Sequence, residues 1–185
     1  MRAIAGTVVL LLCSALTLPL AWAQETTPVR AGLYNAQGEQ IGTATFIQGE
    51  RGPALIRLQV SKLPPGVHGL HLHAVGQCDP PDFQSAGGHL NPFGKKHGHK
   101  NPEGAHAGDL PNLVVGPEGS AAVDVPAAGL AFGEESQAPL ATADTALVTP
   151  GSAALVIHAQ PDDETTDPDG KAGARIACGV LTRGR

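Results

Sequence analysis

The chain has 185 residues, 42% of them hydrophobic and 16% charged, with a formal net charge of −5 at pH 7. That balance describes one globular domain able to bury its own core, and it excludes an intrinsically disordered chain. It also argues against nucleic acid as a partner, while leaving room for a small anion drawn by local charge around a cleft.

Residues 1–23 read as a secretory signal. Arg2 supplies a positive start, Ile4 to Leu20 is an uncharged apolar run, and Ala21-Trp22-Ala23 is a small-x-small cleavage site before Gln24. The run is short for a membrane span. Cys13 follows Leu10-Leu11-Leu12, without the small residue that a lipoprotein site needs. The expected mature domain, residues 24–185, is a soluble exported protein, periplasmic or secreted, with no membrane segment. Export leaves Cys78 and Cys178 as an even pair in an oxidising compartment. One disulfide is expected, closing a loop of about 100 residues; chain entropy alone would make it worth roughly 4 to 5 kcal/mol.

In chain order, Gln24 to Pro28 reads as a loose arm and Val29 to Tyr34 as a first strand, turning at Asn35 to Gly38. Gln40 to Ile47 follows, then a turn over Gln48 to Pro53. Ala54 to Val60 has the clearest alternation, Leu55, Arg57 and Gln59 against Ile56, Leu58 and Val60. After the Pro64-Pro65-Gly66 break, Val67 to Val75 is a further strand. Gly76 to Asn112 breaks the rhythm as a long irregular segment, the kind that is usually functional. Strands resume at Leu113 to Val115 and Ser120 to Val125. Pro126 to Leu140 is a second irregular connection, followed by strands at Ala146 to Thr149 and Ala153 to Ala159. A polar loop, Gln160 to Ala174, precedes the last strand, Arg175 to Leu181. Short strands at this spacing point to an all-β sandwich or barrel.

Seven of the eight histidines stand between Val67 and Asp109: His68, His71, His73, His89, His97, His99 and His106. Surface histidines scatter and core histidines are usually alone, so this crowding points to a metal centre, with two metals. His71 and His73 are two apart in a strand, which sends both rings to one face with Cα atoms roughly 7 Å apart. His158, from another strand, could complete the coordination. An imidazole-rich set without thiolate suits copper or zinc. His89, His97, His106 and Asp109 offer three nitrogens and a carboxylate, the make-up of a closed tetrahedral zinc site. His68 faces away from His71 in an unbroken strand and is expected to make buried hydrogen bonds behind the site. His99 reads as a solvated loop histidine.

These residues resemble the copper/zinc superoxide dismutases, in an exported bacterial form. The likeness runs from about Val29 to Leu181. It is carried by His68-Gly69-Leu70-His71-Leu72-His73, by Gly88-His89-Leu90-Asn91-Pro92, by His97, His106 and Asp109, and by Gly173-Ala174-Arg175-Ile176-Ala177-Cys178-Gly179. The resemblance implies an eight-stranded antiparallel Greek-key β-barrel with a long metal-binding loop and a second, electrostatic loop. It implies copper on His71, His73, His89 and His158, and zinc on His89, His97, His106 and Asp109, with His89 bridging the two. Asp162 matches the aspartate that links a copper ligand, here His71, to a zinc ligand, here His97. Arg175 matches the arginine that guides the anion, and Cys78 and Cys178 match the family's disulfide. Lys171, in a loop of variable length and charge, is a weaker candidate for steering.

The implied reaction turns two superoxide anions and two protons into dioxygen and hydrogen peroxide by Cu(II)/Cu(I) cycling. His89 takes and returns a proton, and zinc, which has no redox chemistry, holds His89 in place. The resemblance allows a monomer or a homodimer. Three other readings carry less. A metal buffer on the same fold predicts loss of Arg175 or of a copper ligand. A copper-only relative predicts loss of the zinc histidines. A zinc hydrolase predicts a His-Glu-x-x-His helix or a general base beside the loop site.

Overall fold

The computed structural model describes residues 28–48, 54–133 and 142–184. The expected leader, the arm before Pro28, most of the turn over Gln48 to Pro53 and part of the second irregular connection lie outside the described residues.

Twelve short strands form among the described residues: β1 (Val29–Asn35), β2 (Gln40–Ile47), β3 (Ala54–Val60), β4 (Gly66–His68), β5 (Leu70–His73), β6 (Leu113–Val115), β7 (Ala121–Ala127), β8 (Leu130–Phe132), β9 (Ala146–Val148), β10 (Ala154–His158), β11 (Arg175–Val180) and β12 (Thr182–Arg183). The main sheet runs β5-β10-β11-β1-β2-β3-β7, antiparallel throughout, with β12 also pairing β1. The row closes on itself. A tight turn in which the Gly116 N–H donates to the Ser120 carbonyl joins β7 to β6. β6 then pairs with β4, whose chain runs directly into β5 at the other end of the row. This curled antiparallel sheet is the expected Greek-key barrel.

Alternation decides which side chains face inward. Ala31 and Leu33, Ala44 and Phe46, Ile56 and Leu58, Leu70 and Leu72, and Leu155 and Ile157 all enter one core cluster. The intervening positions on β5 and β10 face outward, where His71 lies opposite Val156 and His73 opposite Ala154. They are not left in solvent, because the long segment after β5 folds back over this face. Phe83 and Ala86 pack there on Ala154, Val156 and Cys178 as a second apolar cluster. Cys78 is bonded to Cys178, with Cα atoms 5.7 Å apart, and so pins the segment to β11.

Three expected elements differ. The strand Val67 to Val75 is interrupted at Gly69. There the N–H donates to the Gln160 carbonyl and the carbonyl accepts from the His158 N–H, and the missing Cβ leaves room for Ala172, whose Cβ would be only 2.7 Å from one at this position. The connection from Pro126 to Leu140 contains β8, which pairs in parallel with β9. After Leu181 the chain adds β12 against β1. Among the described residues, no helix is long and apolar enough to cross a membrane.

Candidate metal centre

The outward face of β5 supplies His71 and His73, and β10 ends in His158. The pairing of β10 with β11 slips between Ile157 and His158, so that His158 stands opposite Arg175 at the rim of the barrel. Such a slip re-aims the side chains beside it. The long segment is stitched to β5 by backbone bonds: Leu90 donates to the Leu72 carbonyl, Leu72 to Gly108 and Gly108 to Leu90. Gly108 must be glycine, because a Cβ would collide with the Leu72 carbonyl. This stitching brings His89 beside His73 and Asp109 beside His71.

Two sets of ligand atoms result, and His89 belongs to both. His71, His73, His89 and His158 each present one nitrogen within 4.8 Å of the others; His89, His97, His106 and Asp109 do the same. In the first set, the remaining nitrogens are committed. His71 Nε2 donates to Asp162 Oδ2 at 2.8 Å, His73 Nδ1 to the Gly87 carbonyl at 2.8 Å and His158 Nδ1 to the Gly173 carbonyl at 3.1 Å. These bonds fix each ring so that the opposite nitrogen faces the hole, and His73 Nε2 and His158 Nε2 stand 3.4 Å apart across it.

In the second set, backbone N–H groups of Gly98 and His106 hold Asp109 Oδ2, at 2.9 and 3.0 Å. Oδ1 is left facing His89 Nδ1 at 3.0 Å, His97 Nδ1 at 3.0 Å and His106 Nδ1 at 3.3 Å. His106 Nδ1 and His89 Nδ1 are 3.4 Å apart. A tetrahedral zinc shell with bonds of about 2.0 to 2.1 Å has donor-to-donor edges of about 3.3 Å. The loop set is already at that size.

Asp162 joins the sets. Its Oδ2 accepts from His71 and its Oδ1 accepts from His97 Nε2 at 2.9 Å. Asn112 grips its backbone from both sides: the Asn112 Nδ2 donates to the Asp162 carbonyl, and the Asp162 N–H donates to Asn112 Oδ1, each at 2.9 Å. His68 lies behind β10, with its nitrogens 2.8 Å from the carbonyls of His158 and Pro64.

Burial and charge set the protonation. Desolvation drives His71 down to about 4, against the opposing hydrogen bond to Asp162. It drives His73 down to about 2 and His158 to about 3. These rings are neutral at pH 7, as metal ligands must be. His97 goes the other way: burial opposes its charge, but hydrogen bonds to Asp109 and Asp162 overcome that and raise it to about 10. Asp109 and Asp162 are held well below the usual carboxylate range; burial resists this, and hydrogen bonds from the histidines prevail.

Among the described residues, two buried side-chain nitrogens, His71 Nδ1 and His89 Nε2, have no hydrogen-bond partner. Leaving a buried polar atom unpaired costs about 1 to 3 kcal/mol. Here both belong to the four-histidine set, and an ion there would satisfy both. The donors therefore fit a metal ion at the histidine set as well as at the loop set.

A cleft of about 550 Å³ opens onto this centre, lined by His73, His89, His158, Arg175, Lys95 and Lys96 among others. Arg175 donates through Nη1 to the Phe83 carbonyl at 2.7 Å and through Nη2 to the Gly87 carbonyl at 2.6 Å. The Gly87 carbonyl thus receives both Arg175 and His73.

The sequence profile described as "Copper/zinc superoxide dismutase (SODC)" matches residues 40–181. The chain belongs to the copper/zinc superoxide dismutase family. It is 48% identical over 154 residues to Superoxide dismutase (Cu-Zn) 1 of Aquifex aeolicus, across 82% of this chain and 85% of that relative. Among solved structures, a SOD-like protein from Bacillus subtilis superposes with a TM-score of 0.73 at 37% identity, over 82% of this chain and 97% of the other. The Cu/Zn superoxide dismutase from Brucella abortus gives a TM-score of 0.61 at 29% identity, over 82% and 97%. Copper and zinc are the cofactors of this family, and both donor sets suit them.

Three residues of the centre were not singled out from the sequence. Asn112 is an ordinary loop asparagine until the fold brings Asp162 to it. Lys95 lines the cleft, and Lys96 does so while paired with Asp167 at 3.4 Å. Lys171, the weaker steering candidate, is 73% exposed, pairs with Asp163 at 3.6 Å and is not among the residues of the cleft wall. His99 is exposed, yet its Nε2 donates to the Asp109 carbonyl at 3.1 Å.

Proposed function

We propose that the chain dismutates superoxide, with copper held by His71, His73, His89 and His158, and zinc held by His89, His97, His106 and Asp109. The observation that carries this reading is the double membership of His89. One nitrogen belongs to each ligand set, and Nε2, on the histidine side, has no hydrogen-bond partner among the described residues. Copper, when bound, supplies the one-electron chemistry through Cu(II) and Cu(I).

The protein supplies the rest. Arg175 draws the anion into the cleft and orients it, its guanidinium held by two carbonyls. His73 and His158 are kept neutral by burial and fixed by the Gly87 and Gly173 carbonyls. His89 carries a proton at Nε2 and delivers it to the reduced anion, while Nδ1 stays fixed beside Asp109. Asp162 orients His71 and His97 together. Cys78 and Cys178 hold the segment that carries Phe83 and Gly87. His68 braces the backbone of His158.

Residues 1–23 act as an export signal, and residues 24–185 form the mature enzyme in the periplasm or outside the cell. The protein works without a membrane segment or nucleic acid, as a monomer or homodimer. Protein recovered from a bacterial envelope should begin at Gln24 by mass.

His158→Ala tests the functional reading. Copper is expected to fall from about one per chain to near none while zinc remains. Superoxide decay should drop at least about a hundredfold. A His158→Ala protein that retains the wild-type rate would overturn the reading.

A further inference from the structure

The loop from Asp162 to Ala174 returns past its own start at Gly170, a buried residue with φ of 63°. A Cβ at this position would fall inside contact distance of Asp162 Oδ1, 2.5 Å from Asp162 Cγ and 2.6 Å from His97 Nε2. Ordinarily a carboxylate at the end of a side chain could swing aside. This one cannot do so freely: Oδ1 accepts from His97 at 2.9 Å and from the Glu164 N–H at 2.5 Å, Oδ2 accepts from His71, and Asn112 grips the backbone. Gly170 cannot retreat either. Its N–H donates to the Thr166 carbonyl at 2.7 Å, and its carbonyl accepts from Asp163 at 2.9 Å.

We propose that Gly170 is a positioning residue for the two-metal centre. Its bare Cα forms the seat against which the Asp162–His97 hydrogen bond is made, so that one added methyl group uncouples the sites from the zinc side. The direction follows from which atoms would be struck. Of the three nearest atoms, Oδ1 and His97 Nε2 are the two that share the zinc-side hydrogen bond, and the third is Asp162 Cγ, through which His71 would be disturbed only indirectly. The inference rests on the metal reading above, and adds to it a residue that neither ligates metal nor touches substrate.

The test compares Gly170→Ala with Gly38→Ala. Gly38 has φ of 75° and nothing within 4 Å of a built Cβ, so its alanine variant carries a similar backbone penalty without a collision. Two readouts are taken: zinc affinity of the otherwise intact chain, and the imidazole Nε2–H resonances of His71 and His97 in the metal-free protein. Gly170→Ala is expected to weaken zinc binding by about 10- to 100-fold, the range seen when a ligand loses its orienting partner. It should also lose the His97 resonance before that of His71. Gly38→Ala should stay within about twofold of wild type and keep both.

Zinc affinity of Gly170→Ala equal to that of Gly38→Ala, with both resonances kept, would overturn the proposal. If Gly170→Ala does not fold, the triple variant with Asp162→Ala and His97→Ala, compared with the Asp162→Ala/His97→Ala pair alone, decides, because a Cβ at position 170 would meet both side chains. Recovery of folded protein supports the seat, because the collision is then relieved, and no recovery refutes it. A wild-type chain that binds no zinc would instead defeat the metal reading, while the resonances would still report on the seat.

Discussion

At the scale of the residue, Arg175 and Lys95 differ in how they are held, and this separates their expected roles. Arg175 is clamped by the Phe83 and Gly87 carbonyls, so its charge sits at a fixed place beside His158. Arg175→Ala should lower kcat/KM by at least about tenfold at low ionic strength and flatten the salt dependence, with copper still bound. Stopped-flow decay of superoxide across an ionic-strength series measures this, and an unchanged low-salt rate would exclude the role. Lys95 is exposed on the cleft wall, and Lys171 is bound to Asp163 away from it. Lys95→Glu should therefore slow the reaction a few-fold under the same conditions, and Lys171→Glu should leave it nearly unchanged. Lys95 could not be chosen from the sequence. Whether a loop lysine borders a cleft depends on the path of the whole segment, whereas Arg175 stands within a motif.

At the scale of the element, parity along β5 and β10 made much of the site legible. Two histidines spaced by one residue must leave the same face of a strand, and the leucines that alternate with them, Leu70 and Leu72, must enter the core. The same reasoning could not find β8, a three-residue strand whose partner β9 is more than a dozen residues away and parallel to it. Nor could it foresee the break at Gly69, which comes from a loop arriving from elsewhere. The sharing of His89 was available through family resemblance alone, because spacing says nothing of which nitrogen faces which ion. The segment after β5 is held to the barrel by backbone bonds to β5 and by the disulfide. Replacing Cys78 and Cys178 by serine should cost about 2 to 5 kcal/mol of unfolding free energy. It should also loosen the carbonyls that hold Arg175, so activity should fall more than copper content. Denaturant unfolding and metal analysis of the same protein would check both effects.

At the scale of the whole molecule, the histidines give the metal-free protein a stability that falls on both sides of neutrality. His71, His73 and His158 are held at about 4, 2 and 3, below the ordinary 6.5. Their neutral burial is fully compatible with folding above pH 6.5. It becomes destabilising as pH falls below 6.5, because the unfolded chain then gains protons that the native state refuses. His97, raised to about 10, contributes fully below pH 6.5, and that contribution is lost as pH rises from 6.5 to 10. Each such proton tilts stability by up to about 1.4 kcal/mol per pH unit. The midpoint of thermal unfolding of metal-free protein should therefore peak near pH 7, falling more steeply on the acid side, where several rings act together. A midpoint that kept rising from pH 7 to pH 9 would contradict this. Bound metal should remove the fall on the basic side, since zinc takes the place of the proton on His97, and steepen the acid side, where protons compete with metal for the ligand nitrogens.

The central claim is that this metal-rich barrel is an enzyme and not a store of metal. The measurement that tests it most directly is superoxide decay by purified residues 24–185 before copper removal, after it and after reloading, with copper and zinc counted on the same samples. Fast decay at about one copper and one zinc per chain, lost with copper and restored with it, is the predicted result. Full metal content with decay no faster than in buffer would contradict the account and favour a metal buffer.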